Sequence, residues 1–174
     1  MNKLLPIVIM LIFPLMSGCE STSSGVANLV GIDGRNVRPC PGSYNKDKWN
    51  ECAGTYTYAD GGKYIGQWRN GLFHGKGTYT YPNGDLYAGS WKNDKYHGKG
   101  IYTSAKGDKY LGQYIDNKPY GRFTINYANK DQYIGGFKDN QKHGRGTYTS
   151  ASGDAYLGLW SDGKYHGKGT FTGS

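Results

Sequence analysis

The four histidines are the residues of this chain best suited to acid–base chemistry or to metal binding, and they recur with one spacing. They are His74, His97, His143 and His166, separated by 23 residues or by twice that interval. A catalytic or metal site requires different groups that converge on one point, whereas this set repeats one group along the chain. If each interval is a β-hairpin, equivalent residues lie about 10 Å apart, too far to share one ion. We therefore expect structural histidines, with pH sensing or metal binding as the alternative.

Acidic residues recur with the same interval but fall in segments that resemble turns. They are Asp85, Asp108, Asp131 and Asp154. The sequence presents no paired carboxylates, no serine–histidine–aspartate pattern and no glycine-rich phosphate loop between a strand and a helix. We therefore predict a protein that is not an enzyme, with no catalytic residue, no metal ligand and no cofactor.

Cys19 follows a segment that has the composition of an export signal. Lys3 precedes an apolar run of about 13 residues, which is too short to span a bilayer. The string from Leu15 to Cys19 resembles the lipobox of bacterial lipoproteins, with Met16 in place of the more usual leucine. This resemblance implies a signal peptide at residues 1–18 and lipidation of Cys19. The alternative is an ordinary cleaved signal that ends beside an unrelated cysteine.

The lipobox resemblance also implies a location. Glu20 stands where an aspartate typically retains such proteins at the inner membrane, so we expect an outer-membrane lipoprotein that faces the periplasm. The formal net charge of +8 favours anionic partners, but export argues against nucleic acid. Residues 19–39 lack periodicity and are expected to act as a flexible tether.

The remaining two cysteines, Cys40 and Cys52, precede the periodic part of the chain. In an oxidising compartment two spare thiols most simply form a disulfide, which would close an N-terminal cap over residues 40–53. Closing a loop of this length stabilises by about 3 kcal/mol on the chain-entropy model. Two free buried thiols are the alternative.

Residues 54–174 consist of a partial repeat at 54–63 followed by five copies of one pattern. The copies start at Tyr64, Tyr87, Tyr110, Tyr133 and Tyr156, and each continues with glycine two residues later and an aromatic residue two further on. Each aromatic residue precedes a pair suited to positive φ, such as Asn70-Gly71, and then a Thr/Tyr-rich return. The pattern predicts an all-β fold, a single antiparallel sheet of consecutive hairpins.

The alternation of strand side chains divides this sheet into two faces. Tyr64, Gly66 and Trp68 share one face, and a two-residue loop at 70–71 would set Gly66 opposite Gly75 and Tyr64 opposite Gly77. We expect large rings to lie over the glycines and to serve as the core of a sheet that has no second layer.

The second face is predicted to carry one basic residue from each repeat. These residues are Lys76, Lys99, Arg122, Arg145 and Lys168. On the same pairing they lie opposite aliphatic residues that would shelter their stems; these are Ile65, Ala88, Leu111, Ile134 and Leu157. The basic face is a candidate site for anionic phospholipid or an envelope polymer, and an ordinary solvated surface is the alternative.

The pattern Tyr-x-Gly-x-Trp-x-x-Gly-x-x-His-Gly-x-Gly at residues 64–77 resembles the MORN (membrane occupation and recognition nexus) repeat. The resemblance implies an elongated, twisted hairpin sheet used in scaffolding, dimerisation or membrane association. It favours a lipid-anchored scaffold that binds a protein partner or a second copy of itself, with anionic-lipid binding as the alternative. The copy that starts at residue 110 departs most, since Phe123 and Lys130 replace glycines. Within it, residues 114–130 are interpreted as a bend or a contact point, with neutral drift as the alternative.

Overall fold

The computed structural model describes residues 37–174, which form one sheet of eleven β-strands. The strands are β1 (Cys52–Thr57), β2 (Lys63–Arg69), β3 (Leu72–Thr80), β4 (Leu86–Lys92), β5 (Lys95–Thr103), β6 (Lys109–Ile115), β7 (Lys118–Asn126), β8 (Gln132–Lys138), β9 (Gln141–Thr149), β10 (Ala155–Ser161) and β11 (Lys164–Thr172). Each strand pairs with the next in antiparallel orientation, which confirms the predicted all-β hairpin sheet. The predicted signal peptide, the predicted lipidation site Cys19 and most of the predicted tether lie outside the described residues.

One tight loop connects the two strands in each of the five full hairpins, as the turn-forming pairs predict. In the first, Asn70 and Gly71 have φ values of 51° and 71°. The other four pairs also have positive φ at both positions; they lie at residues 93–94, 116–117, 139–140 and 162–163. Positive φ at both central residues defines the type I′ turn, whose twist matches that of the flanking strands.

The predicted register within each hairpin is wrong by two residues. Tyr64 lies opposite Tyr79, and Gly66 lies opposite Gly77. The reason is an irregularity after Gly66, where Gly75 adopts the left-handed conformation with a φ of 65°. Gly75 and Lys76 therefore have no paired residue on β2. Every pair farther from the loop is shifted by two residues.

The core is a single layer of rings packed over glycines, as the sequence predicts. A Cβ atom on Gly66 or on Gly77 would overlap the Tyr64 ring, whose hydroxyl group donates a hydrogen bond to the Gln67 carbonyl at 3.0 Å. Trp91 continues the layer, since its Nε1 donates to the Gly77 carbonyl at 3.0 Å. The ring side chains therefore donate hydrogen bonds both within their own hairpin and to the preceding hairpin.

The third full repeat builds this layer differently. Phe123 of β7 is buried, and a Cβ atom on Gly112 would lie 2.5 Å from its ring. Tyr110 starts this repeat but is only partly buried, and Ile125 rather than a tyrosine lies opposite it. The ring that covers the glycine thus comes from the second strand of the hairpin, which we term the returning strand.

The N-terminal cap covers the outer edge of β1. Cys40 and Cys52 are joined by a disulfide, and the Cys40 amide donates to the Ala53 carbonyl at 2.8 Å. Trp49 is buried against Trp68, with the ring centroids 5.0 Å apart. The aromatic layer therefore continues into the cap.

Candidate interaction surfaces

The five basic residues predicted as a stripe lie on the face opposite the rings, which we term the polar face. One residue comes from each returning strand; they are Lys76, Lys99, Arg122, Arg145 and Lys168. Successive members stand two strands apart, about 10 Å at the usual strand spacing. All but Lys76 are exposed.

The aliphatic residues do not lie opposite the basic residues, so that part of the prediction is wrong. Because of the shift after Gly66, Lys76 lies opposite Ser90 of the next repeat, and its Nζ donates to Ser90 Oγ at 2.9 Å. Ile65 instead lies opposite Thr78. Lys99, Arg122 and Arg145 likewise lie opposite residues of the following hairpin, whereas Lys168 lies on the last strand.

The polar face carries a groove of about 510 Å³ across β9, β10 and β11. Arg145 and Lys168 line this groove together with Leu157 and Leu159. The two leucines remain 59% and 38% exposed, respectively, although leucine side chains are usually buried in a protein core. The groove therefore combines two cations with accessible apolar surface, a composition suited to an acidic segment with apolar side chains.

A family model for the MORN repeat matches five segments of the chain, which together make up more than half of it. The segments are residues 53–63, 64–86, 87–109, 133–155 and 156–174. They include the strands that form the groove and all the repeats in which a tyrosine ring covers the glycines. The chain belongs to the MORN repeat family. The interval left unmatched, residues 110–132, is the repeat in which Phe123 replaces the tyrosine ring.

Comparison of this MORN protein with curated proteins and with solved structures adds no functional assignment. No curated protein matches it. Among solved structures it is similar to the SAS-4 (dCPAP) TCP domain of Drosophila melanogaster, described in complex with a proline-rich motif of Ana2 (dSTIL). The identity is 17% over 62% of this chain and 78% of the other, with a TM-score of 0.27, too low an agreement to support an inference.

The aspartates of the MORN repeats connect each hairpin to the next, a role that sequence reasoning missed. Asp85 Oδ1 accepts a hydrogen bond from the Ala105 amide at 2.7 Å, and Asp85 Oδ2 accepts one from the Tyr102 hydroxyl at 2.5 Å. These bonds hold the pKa of Asp85 below its usual value. Asp131 makes the same two contacts, with Ala151 and Tyr148. The signal was present in the sequence as a carboxylate at a fixed turn position in the first four full repeats.

The four histidines of the MORN repeats also lie on the returning strands. His74 lies opposite Gln67 and His166 lies opposite Leu159. Burial is the main cause that lowers the pKa of His74. Within residues 37–174 no group of three potential ligands is arranged around a common metal position. The same part of the chain contains no helix that could cross a bilayer.

Proposed function

We propose that this MORN protein is a non-enzymatic scaffold of the cell envelope, anchored through a lipid on Cys19, that uses its polar face to bind a protein partner. Membership of the MORN family supports an interaction module built of repeats. The observation that carries the choice of a protein partner is the groove between Arg145 and Lys168, where two leucines are accessible beside two cations.

The partner suited to this groove is an extended acidic segment with apolar side chains. Arg145 and Lys168 stand on alternate strands, with β10 between them, so a segment along the groove would meet both cations. Leu157 and Leu159 would lose their exposed apolar surface on binding, which contributes about 25 cal/mol per Å². Charge complementarity would add specificity and faster association.

The alternative is a membrane surface, and the basic polar face favours it. Five cations at regular intervals would be attracted to anionic lipid, each contributing about 1 kcal/mol near the surface. Lys76 is the least suited of them, because its ammonium group already binds Ser90 Oγ. The two functions differ in what they require of the leucines, since a phosphate surface needs only the charges.

A photo-crosslinking residue at position 159, introduced into the lipidated protein in its native envelope, tests the proposal. Gln113 occupies the equivalent position two repeats earlier and is exposed, so a crosslinker there is the matched control. We expect one protein of defined mass at position 159, none at 113, and loss of the product in an Arg145→Glu variant. Flotation of the unlipidated chain from residue 20 with anionic vesicles, but not with neutral ones, would instead support the membrane function.

A further inference from the structure

The aromatic layer contains a recurring frame of four rings whose centre is filled by a side chain from the start of a returning strand. In the first full repeat the frame is formed by Tyr58, Tyr64, Tyr79 and Trp91, and the centre is filled by Phe73. Its ring centroid lies 6.4, 3.7, 5.8 and 5.2 Å from theirs, respectively. Here an apolar ring fills an apolar frame.

The fourth full repeat keeps the frame and changes its centre. Tyr127, Tyr133, Tyr148 and Trp160 stand at the equivalent positions, and Lys142 replaces the phenylalanine. Its Nζ lies 5.4, 5.4, 4.6 and 4.6 Å from the four ring centroids, respectively. All four distances lie within the range of about 6 Å in which a ring attracts a cation. We term these four rings the cation cage.

The cation cage has an acidic neighbour that adds to its preference for positive charge. The Tyr148 hydroxyl donates a hydrogen bond to Asp131. Desolvation lowers the pKa of Lys142, and the charge of Asp131 opposes that effect. Rings and a nearby carboxylate therefore act on the same position, and both stabilise a cation there.

A primary ammonium group is nevertheless a poor match for walls made of rings. It is compact and strongly hydrated and has three hydrogen-bond donors to satisfy. The ion pairs within residues 37–174 do not include Lys142. A trimethylammonium group carries the same charge with no donors, so it loses less hydration when it enters such a site.

The cation cage is also open to solvent. Tyr127, Lys142 and Tyr148 are each partly exposed. The lysine reaches the centre from β9 through its flexible side chain, so it can leave by rotation about its own bonds while the strand stays paired. A ligand could therefore take its place without a change in the sheet.

We propose that Tyr127, Tyr133, Tyr148 and Trp160 form a binding site for a quaternary alkylammonium group, and that Lys142 occupies this site until the ligand displaces it. The site lies on the aromatic face and is separate from the groove proposed for a protein partner. A choline-type ligand has the required chemistry, whether it is free or the headgroup of a lipid.

Titration of the whole protein with tetramethylammonium chloride tests the proposal, with sodium chloride at equal ionic strength as the control. Binding is followed by calorimetry and by the NMR signal of the Trp160 indole. Lys142→Ala empties the centre of the cage, whereas Lys142→Phe fills it as Phe73 does in the first repeat. We expect saturable binding to the wild type, binding about tenfold tighter to Lys142→Ala, and none to Lys142→Phe.

The outcomes separate the proposal from its alternatives. Absence of saturable binding to the wild type would overturn it, as would equal affinity in Lys142→Phe or an affinity in Lys142→Ala no higher than that of the wild type. If Lys142→Ala does not fold, wild type against Lys142→Phe still decides whether the cage is the site. Co-sedimentation with phosphatidylcholine vesicles then assigns the source, since binding there as well as to the free probe indicates a lipid headgroup and binding to the free probe alone indicates a soluble ligand.

Discussion

The third full repeat and the repeat before it cover their glycines with rings from different strands of the hairpin. In the second repeat the Tyr87 ring comes from β4, the first strand of its hairpin, and lies over Gly89 and Gly100. In the third, the Phe123 ring from the returning strand β7 lies over Gly112, and Tyr110 is left partly exposed. The comparison shows that the sheet requires a ring over a glycine, and that either strand can supply the ring.

The two repeats differ in what surrounds the glycine, and this difference predicts the largest effect. A Cβ atom on Gly89 would lie 2.6 Å from the Gly100 Cα and 2.8 Å from the Lys99 carbonyl oxygen, both backbone atoms. On Gly112 the three nearest atoms would all belong to the Phe123 ring, at 2.5–2.6 Å. We expect Gly89→Ala to lower the free energy of unfolding by about 3 kcal/mol or more and Gly112→Ala by about 1 kcal/mol, because a ring can shift and paired strands cannot.

Urea denaturation followed by circular dichroism measures this difference. Lys106 lies exposed in the turn before the third repeat, and Lys106→Ala is the control, with a change below about 0.5 kcal/mol. If Gly112→Ala were the more damaging of the two glycine variants, the backbone contact would not be the source of the cost.

The cap supplies a second contrast with the third repeat, because it adds a covalent bond where the repeats have only noncovalent contacts. Cys52→Ala removes the bond to Cys40, which should cost about 3 kcal/mol from the entropy of loop closure. Since repeat proteins are held together by neighbouring contacts, the loss should be local. We expect hydrogen exchange to increase in β1 and β2 while β8 to β11 stay protected; equal loss in all strands would show that the array unfolds as one unit.

Acid should weaken the hydrogen bonds that tyrosine hydroxyls donate to aspartates of the preceding repeat. The third repeat lacks the tyrosine of this pair. The pKa values of Asp85 and Asp131 are lowered, mainly by the tyrosine hydroxyl that each accepts. Their contribution is therefore present above the usual aspartate pKa of about 3.9 and is lost as the pH falls through the lower folded value. The third repeat has Ile125 where the second has Tyr102.

Melting temperatures measured between neutral pH and about pH 3 should fall on the acid side in the wild type. A double variant, Tyr102→Phe with Tyr148→Phe, keeps both rings and removes both hydroxyl donors, so its melting temperature should depend less on pH in that range. The Ile125 position offers no hydroxyl to remove, which makes Ile125→Val the matched control with an unchanged pH dependence. An equal acid shift in the double variant would assign the effect to other groups.

The features predicted from the sequence are those that depend on one repeat alone. Residues that favour positive φ determined the type I′ loops, and alternation along a strand placed Tyr64, Gly66 and Trp68 on the ring face. The register was wrong because a loop fixes pairing only until an irregularity intervenes, and Gly75 supplies one. Contacts between repeats, such as Asp85 with Ala105, depend on how hairpins stack and were not predicted.

The cation cage was missed for a related reason. Within its own repeat Lys142 is an ordinary polar residue at the start of a strand. Two of the four rings around it, Tyr127 and Trp160, come from the preceding and following repeats. Comparison with Phe73, its equivalent in the first repeat, was the available signal, because a charged residue stands there in place of a ring.

Two substitutions at Phe123 test whether a ring over a glycine holds each hairpin together. Glycine at this position would recreate the pair found in the other repeats and let the Tyr110 ring move over Gly112, whereas alanine would keep a Cβ atom in its way. We therefore predict that Phe123→Gly unfolds at a higher urea concentration than Phe123→Ala. In an ordinary strand glycine is less stable than alanine by about 0.5–1 kcal/mol. We expect that usual order to return when Tyr110→Ala is added. If Phe123→Ala is the more stable variant with Tyr110 in place, a ring over the glycine is not what holds the hairpin together.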